Sequence, residues 1–209
     1  MPTRFLASTL AAAALAVVLA HPALSQSRPQ PHARGWVEPP SELPKTFGGK
    51  LQDLDFLFGA LKVAPDETSA KAIEQRIWAQ WLISKSDTTN LLMTRVKTAI
   101  DGKDLDLALR LLDSVVELNP GYVEGWNRRA TLHYMRKEFG QSLTDIRRVL
   151  AIEPRHFGAL TGLGLIMQEL GDEKRALEAF RKALDVNPHL ARVPDMVKSL
   201  TGKVRGRDI

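Results

Sequence analysis

The chain contains no cysteine in its 209 residues. It therefore has no disulfide framework, no thiolate ligand for a metal ion and no cysteine that could carry a lipid after an N-terminal leader. Beyond the start of the chain it also lacks any long uncharged apolar run, so we expect no integral membrane span once a leader has been removed. The chain must therefore be stabilised by burying apolar side chains rather than by cross-links or metal ions.

Signatures of catalytic sites are also missing, since there is no G-x-S-x-G, H-E-x-x-H or P-loop sequence. His133, His156 and His189 are widely separated along the chain and lack the local spacing of metal ligands. We interpret His156 and His189 as solvent-facing or helix-capping, and His133 as packed or hydrogen-bonded. We expect no catalytic residue, no metal and no cofactor, although the fold could still bring a general acid and base together.

Positive charge is only slightly in excess, with 29 basic and 24 acidic side chains, and the basic residues are spread along the chain. Weak attraction to anionic surfaces follows, but we expect no nucleic-acid partner, because a basic platform with aromatic residues is lacking. Lys203, Arg205 and Arg207 in the C-terminal tail leave open a second hypothesis, a binder of peptidoglycan or anionic lipid.

The N-terminus has the composition of a secretory signal. MPTR is a short positive start, and FLASTLAAAALAVVLA is an uncharged apolar run that is too short for a comfortable bilayer span. Small residues at Ala23 and Ser25 predict cleavage after Ser25, so residues 1–25 are interpreted as a signal peptide and the protein as periplasmic or secreted. An uncleaved signal that holds the protein at the inner membrane is the alternative.

Residues 26–50 contain five prolines and three glycines without an apolar period. Such a stretch buries too little surface to offset the entropy of ordering it, which predicts a disordered linker. Trp36 is the exception. It either docks on the folded domain, the reading we favour, or marks a short partner-binding segment.

The rest of the chain repeats at a fixed interval of about 34 residues, which separates Asn119-Pro120 from Glu153-Pro154 and Asn187-Pro188. Apolar or small residues recur at the same interval in seven columns: Leu92, Trp126 and Leu160; Val96, Ala130 and Gly164; Ala108, Ser142 and Ala176; Leu109, Leu143 and Leu177; Leu112, Ile146 and Phe180; Val115, Val149 and Ala183; Leu118, Ile152 and Val186. Within each unit the apolar residues recur at three and four positions in two bursts, which predicts a helical hairpin that a proline ends.

This pattern resembles the tetratricopeptide repeat family. The residues that carry the resemblance are Trp126, Ala130, Gly164, Ala108, Ala176, Phe180, Pro120, Pro154 and Pro188. It implies an all-α, right-handed α-solenoid of helical hairpins, with repeats at 89–122, 123–156 and 157–190. Residues 51–88 are then a degenerate repeat or N-terminal cap, and residues 191–209 a capping helix that begins near Pro194 and dissolves into a basic tail.

In this family the first helices of successive repeats line a concave groove that binds peptides. The resemblance places the following residues there: Asn90, Met93, Lys97, Glu124, Asn127, Thr131, Tyr134, Thr161, Leu165 and Gln168. Gly158 and Gly162 stand where a clamp for a carboxylate would need basic groups, so recognition of a chaperone tail is not expected. We interpret these glycines, with Gly164, as small residues at a tight helix crossing.

Two arginines occupy an inward column in which the family prefers leucine, Arg95 and Arg129. A buried guanidinium without a partner is costly, so we expect both to meet carboxylates, with Asp113 and Asp145 as candidates. Structural pairing is favoured over a role in anion binding.

The sequence therefore predicts a non-catalytic scaffold or adaptor of the bacterial cell envelope, which binds a protein or peptide in the groove. An envelope enzyme or its regulatory subunit is the alternative beside the tail-mediated binder. A cluster of histidines and carboxylates in a closed pocket would favour the enzyme.

Overall fold

The computed structural model describes residues 35–40 and 53–207, and the regular structure there is all α-helical. Residues 53–207 contain nine helices: α1 (Leu54–Lys62), α2 (Glu67–Leu82), α3 (Asp87–Asp101), α4 (Leu105–Leu118), α5 (Val123–Met135), α6 (Phe139–Ile152), α7 (Phe157–Glu169), α8 (Glu173–Val186) and α9 (Val193–Arg207). The predicted signal peptide, most of the predicted linker and the last two residues lie outside the described residues.

Three antiparallel hairpins, α3 with α4, α5 with α6 and α7 with α8, form the repeats that the sequence period predicts. Their second helices end at Leu118, Ile152 and Val186, each shortly before a proline. Proline lacks the amide hydrogen and restricts the residue before it, so it stops each helix at the same point of the repeat. The all-α fold of paired helices is thus confirmed.

Small residues allow the two helices of each hairpin to approach closely. Ala108, Ser142 and Ala176 are fully buried, and the Ser142 hydroxyl donates to the Ala130 carbonyl at 2.7 Å. At Gly164 an added Cβ would lie 2.5 Å from the ring of Phe180, so a glycine is needed there to seat that ring. Full burial of a side chain such as Phe180 contributes about 1.5–3 kcal/mol.

The turn inside each hairpin uses one register position in the left-handed region. Lys103 has φ 62°, Lys137 has φ 61° and Gly171 has φ 78°. In each case the next amide closes back on the preceding helix, as when Glu138 N–H donates to the His133 carbonyl at 2.9 Å. This is a Schellman ending, in which glycine is the unstrained residue and lysine is not.

The N-terminal pair α1 and α2 lies across the turns that connect the repeats. At the first turn Asn119 donates to the Ser84 hydroxyl at 3.2 Å, and the Tyr122 hydroxyl donates to the Leu82 carbonyl at 3.0 Å. At the third turn Asn187 donates to Glu74 at 3.0 Å. The side of α2 and the residues that follow it thus reach equivalent positions of the first and third repeats.

At the second turn the contacts of α2 are aromatic. The Trp81 ring stacks on His156 with centroids 4.1 Å apart, and the edge of Trp78 meets Phe157 at 5.3 Å. The helical pair expected over 51–88 is therefore present from residue 53 onward. The expectation that this pair covers the end of the stack is wrong, because its long-range contacts are with the turns that connect the repeats.

The C-terminal helix α9 packs on α8 through Val193 and Leu200, both almost fully buried. The expected capping helix is thus present. The helix does not give way to an irregular basic tail, however, since α9 continues to Arg207. Lys203 within it lies 3.8 Å from Glu173. Among residues 35–40 and 53–207, no helix combines the length and apolar character that crossing a membrane requires.

Candidate protein-binding face

The first helices of the three repeats carry the ten residues that the sequence places in the groove, and we call the surface they define the groove face. Asn90, Lys97 and Gln168 are exposed, and Met93, Thr131 and Tyr134 are partly buried. The remaining four are buried: Glu124, Asn127, Thr161 and Leu165. The expectation that these four positions are open to a partner is therefore wrong in this conformation.

Glu124 is buried because α2 covers the turn beside it. Its Oε1 lies 2.8 Å from Nε2 of His156, and neither side chain is exposed. Nδ1 of His156 accepts the Ala159 amide hydrogen at 3.0 Å, so the ring hydrogen sits on Nε2 and is donated to Glu124. The Asn127 amide donates to the same carboxylate at 3.3 Å. His156 is a helix cap as expected, but it is not solvent-facing.

The groove face of α5 and α7 is occupied by a segment of the same chain without regular secondary structure, residues 35–40. Trp36 near its start is only 6% exposed, and its ring centroid lies 5.5 Å from that of Tyr134. Gly35 has φ 89° and lies against the side chains of Leu165 and Met196. The prediction that Trp36 docks on the folded domain is confirmed, and the structure shows that it docks on the groove face.

Gly158 and Gly162 provide the space for this segment. An added Cβ at Gly162 would overlap the six-membered ring of Trp36, and one at Gly158 would lie 3.0 Å from the Val37 carbonyl oxygen. The interpretation as a helix crossing is therefore wrong for Gly162 and correct for Gly164, while Gly158 contacts both the segment and the Trp78 ring of α2. The signal that could have identified the pair is its spacing of four, which places both glycines on one side of α7.

Comparison with known proteins agrees with the repeat. The chain is 41% identical over 155 residues to a TPR repeat-containing protein of Rhizobium etli, and the match covers 74% of this chain and 76% of that one. This chain belongs to the tetratricopeptide repeat family. No family model matches this tetratricopeptide protein.

Solved tetratricopeptide domains share the fold at low sequence identity. The Sgt2 TPR domain from Aspergillus fumigatus has a TM-score of 0.54 at 17% identity, with 59% of this chain and 83% of that chain covered. The Arabidopsis OM64 TPR domain has a TM-score of 0.52 at 22% identity, with 55% and 94% covered. A tetratricopeptide domain is generally a protein-interaction module.

Arg129 of this tetratricopeptide protein is held by the two carboxylates that the sequence suggests. Its Nε and Nη2 donate to Asp145 at 2.8 Å each, and its Nη1 donates to Asp113 at 2.8 Å. The guanidinium also lies 4.9 Å from the ring centroid of Trp126. The hydrogen bond with Asp145 raises the pKa of Arg129 above its ordinary value. Structural pairing of Arg129 is confirmed.

Arg95 does not share this arrangement. Its side chain is exposed on α3, and it makes no ion pair with any residue in 35–40 or 53–207. The expectation of a paired, inward Arg95 is wrong, because α1 and α2 do not stack on α3 and so leave that side of the helix in solvent.

His133 is hydrogen-bonded, as expected for a lone helical histidine. Its Nδ1 lies 2.6 Å from Oε2 of Glu138, and Arg136 donates to Oε1 of the same carboxylate at 2.8 Å. The hydrogen bond with His133 holds the pKa of Glu138 below its usual value, and the charge of Arg136 acts in the same direction. Within the described ranges no three potential ligands are grouped closely enough to hold a metal ion.

Proposed function

We propose that this tetratricopeptide protein is a non-catalytic scaffold or adaptor of the bacterial cell envelope, periplasmic or secreted, which binds a protein or peptide on the groove face. The observation that supports binding there is the position of residues 35–40, where a non-helical segment already lies against α5 and α7. The surface therefore has room for a peptide segment between these helices.

The arrangement of titratable groups favours a binding role over a catalytic one. Both imidazole nitrogens of the buried His156 are hydrogen-bonded within the protein, one to the Glu124 carboxylate and the other to the Ala159 amide. A general base needs an atom free to reach substrate, so this pair is suited to holding two repeats together. Asn90, Lys97 and Gln168 are exposed on the groove face, although the Asn90 amide donates to the Ser84 carbonyl at 3.1 Å and Lys97 pairs with Asp101 at 2.7 Å.

The test is crosslinking and affinity capture from the native envelope with three forms of the full chain. One is native, and one carries Asn90→Ala, Lys97→Glu and Gln168→Ala on the groove face. The third is a matched control with Gln141→Ala, Thr144→Ala and Arg148→Glu, all exposed on the second helix α6 and with the same change in net charge. A partner captured by the native and control forms but lost from the groove variant supports the proposal. Capture of the same partners by the groove variant contradicts binding through these three exposed groove residues.

The envelope location has its own test, because it rests on the predicted signal in residues 1–25. Those residues are fused to alkaline phosphatase, an enzyme that is active only after export from the bacterial cytoplasm. We expect activity in the periplasmic fraction and its loss when Arg4 and the apolar run are replaced by acidic and polar residues. An inactive fusion that accumulates in the cytoplasm would show that the location is wrong.

A further inference from the structure

Trp36 lies in a recess on α7 that exists because two residues there, Gly158 and Gly162, have no side chain. Gly158 and Gly162 are both buried in α7, and each faces residues 35–40. A glycine inside a helix costs up to about 1 kcal/mol relative to alanine. Two glycines one turn apart therefore lower the stability of α7. Their lack of side chains leaves a recess that accepts an indole.

The walls of this recess fit an aromatic ring on an extended backbone. Tyr134 offers its ring at a tilt of 48° and a centroid distance of 5.5 Å, a favourable geometry for two aromatic rings. Leu165 supplies the apolar wall beside Gly35. An open cavity of about 710 Å³, lined by Trp36, Lys71, Glu74 and Arg192 among others, continues from the recess along α2 and the start of α9.

The chain's own segment fills the recess imperfectly. Nε1 of Trp36 is buried and has no hydrogen-bond partner among the described residues. A buried donor that is left unpaired costs about 1–3 kcal/mol. The contact is therefore held by ring packing alone, and the indole of a free segment can make the same ring contacts with the same unpaired nitrogen, so the two can exchange in the recess.

We infer that the recess between Tyr134, Gly162 and Leu165 is a docking site for an extended partner segment that carries a tryptophan, and that residues 35–40 close it until the partner takes their place. The inference rests on the proposed function, since it states which side chain the partner carries and that residues 35–40 control access to the recess. The partner inserts its indole over Gly162 and its backbone along Gly158. Trp36 then moves into solvent.

Covalent attachment gives the closing segment an advantage over a free peptide. A tethered segment competes at an effective concentration on the order of millimolar when its connection is short. The apparent affinity for a partner is reduced in proportion to the fraction of molecules that are open. Trp36→Ala removes the indole and opens the recess, so it should strengthen the binding of a free tryptophan peptide.

The experiment measures fluorescence anisotropy of a labelled peptide ARGWVEPP, the sequence of residues 33–40, against the full chain. We expect Trp36→Ala to bind it at least about tenfold more tightly than the native chain does. The peptide ARGAVEPP should bind much more weakly, and adding Gly162→Leu to the Trp36→Ala chain should abolish binding. Equal affinity of the native and Trp36→Ala chains, or equal binding of the two peptides, would overturn the inference.

A second measurement does not depend on the folding of Trp36→Ala. The native chain is labelled with fluorotryptophan, and its Trp36 resonance is assigned with Trp36→Phe. An excess of unlabelled ARGWVEPP should move that resonance to its solvent-exposed position, while the Trp78 resonance stays in place. A Trp36 resonance that does not respond contradicts displacement. A concentration-dependent dimer that Trp36→Phe dissociates would identify a second copy as the occupant and also overturn the inference.

These measurements separate the inference from the proposed function. Loss of a captured partner in the groove variant, together with failed peptide exchange, leaves the proposed function in place and removes the inference. Successful peptide exchange, together with identical capture by the native and groove variants, leaves the docking site and removes binding through the exposed groove residues.

Discussion

Glu124 and His156 join consecutive repeats through a contact of 2.8 Å between side chains that are both fully buried. Glu124 stands in the first turn of α5, and His156 caps the next first helix, α7. Neither residue recurs at the equivalent position of the other repeats. The positions equivalent to Glu124 hold Asn90 and Gly158, and those equivalent to His156 hold Tyr122 and Leu190. The buried carboxylate–imidazole contact is thus specific to the junction between the second and third repeats.

Removal of the carboxylate should destabilise that junction. In Glu124→Ala the Nε2–H of His156 and the Asn127 amide lose their acceptor, and each unpaired group costs about 1–3 kcal/mol. We therefore expect a loss of about 3 kcal/mol in the free energy of unfolding by urea. Glu124→Gln keeps an acceptor oxygen and should lose less than half as much. Equal stability of Glu124→Ala and the native chain would show that the contact is not stabilising.

The two carboxylates of Arg129 should differ in importance because only one is buried. The Asp145 side chain is 2% exposed and the Asp113 side chain 62%. Breaking a buried pair costs about 3–5 kcal/mol, whereas an exposed pair is worth at most about 1 kcal/mol. We expect urea unfolding to show a large loss for Asp145→Asn and a small one for Asp113→Asn.

The structural role of Arg129 has a separate control. Arg129→Leu should lower stability by about as much as Asp145→Asn, and the double variant Arg129→Leu with Asp145→Leu should recover much of the loss, because no charge is then left buried. If Arg129→Leu keeps its stability but loses partner capture, Arg129 belongs to the binding site and the structural account fails.

The left-handed turn position offers a stabilising substitution. Lysine in this region is strained by about 1 kcal/mol or more, which glycine avoids. Lys137→Gly should therefore raise the melting temperature by a few degrees, after the entropy that glycine adds to the unfolded chain has been subtracted. Gly171→Lys at the equivalent position should lower it. A lower melting temperature for Lys137→Gly would mean that the lysine side chain makes a stabilising contact of its own.

The carboxylate of Glu138 should make stability depend on acid. Its pKa is lowered in the folded chain by the hydrogen bond with His133 and the charge of Arg136, so folding favours the ionised form. That contribution is present above the ordinary pKa of glutamate and is lost as pH falls through the lowered value. The melting temperature of Glu138→Gln should fall less than that of the native chain on acidification from pH 6 to pH 3. Parallel curves would contradict the assignment.

The repeat could be predicted because its determinants are local. Helix length, the small residues at Ala108 and Ala176 and the stop at each proline all follow from spacing within a single repeat unit, and so the three hairpins lie where the sequence places them. Arg129 could be assigned a partner for the same reason, since Asp145 stands on the second helix of its own hairpin.

The groove face could not be predicted in the same way. The register shows which residues are equivalent but not which distant segment covers them. Glu124 contacts His156, on which Trp81 of α2 stacks, and Leu165 contacts the segment that begins at Gly35. Contacts such as Asn187 with Glu74 join distant parts of the chain and leave no periodic trace. The remaining clue was chemical: Trp78 and Trp81 are large aromatic residues that have no column in the repeat.

Because α2 runs along three successive turns, the repeat array should resist stretching more than a simple repeat protein does. In a simple repeat protein each unit contacts only its neighbours, so one end can open while the rest persists and the superhelix can stretch like a spring. Here α2 stacks on His156 through Trp81 and accepts from Asn187 through Glu74, and Ser84 just after the helix accepts from Asn119. Stretching the repeats apart breaks those attachments together, so the curvature of the groove face is set before any partner arrives.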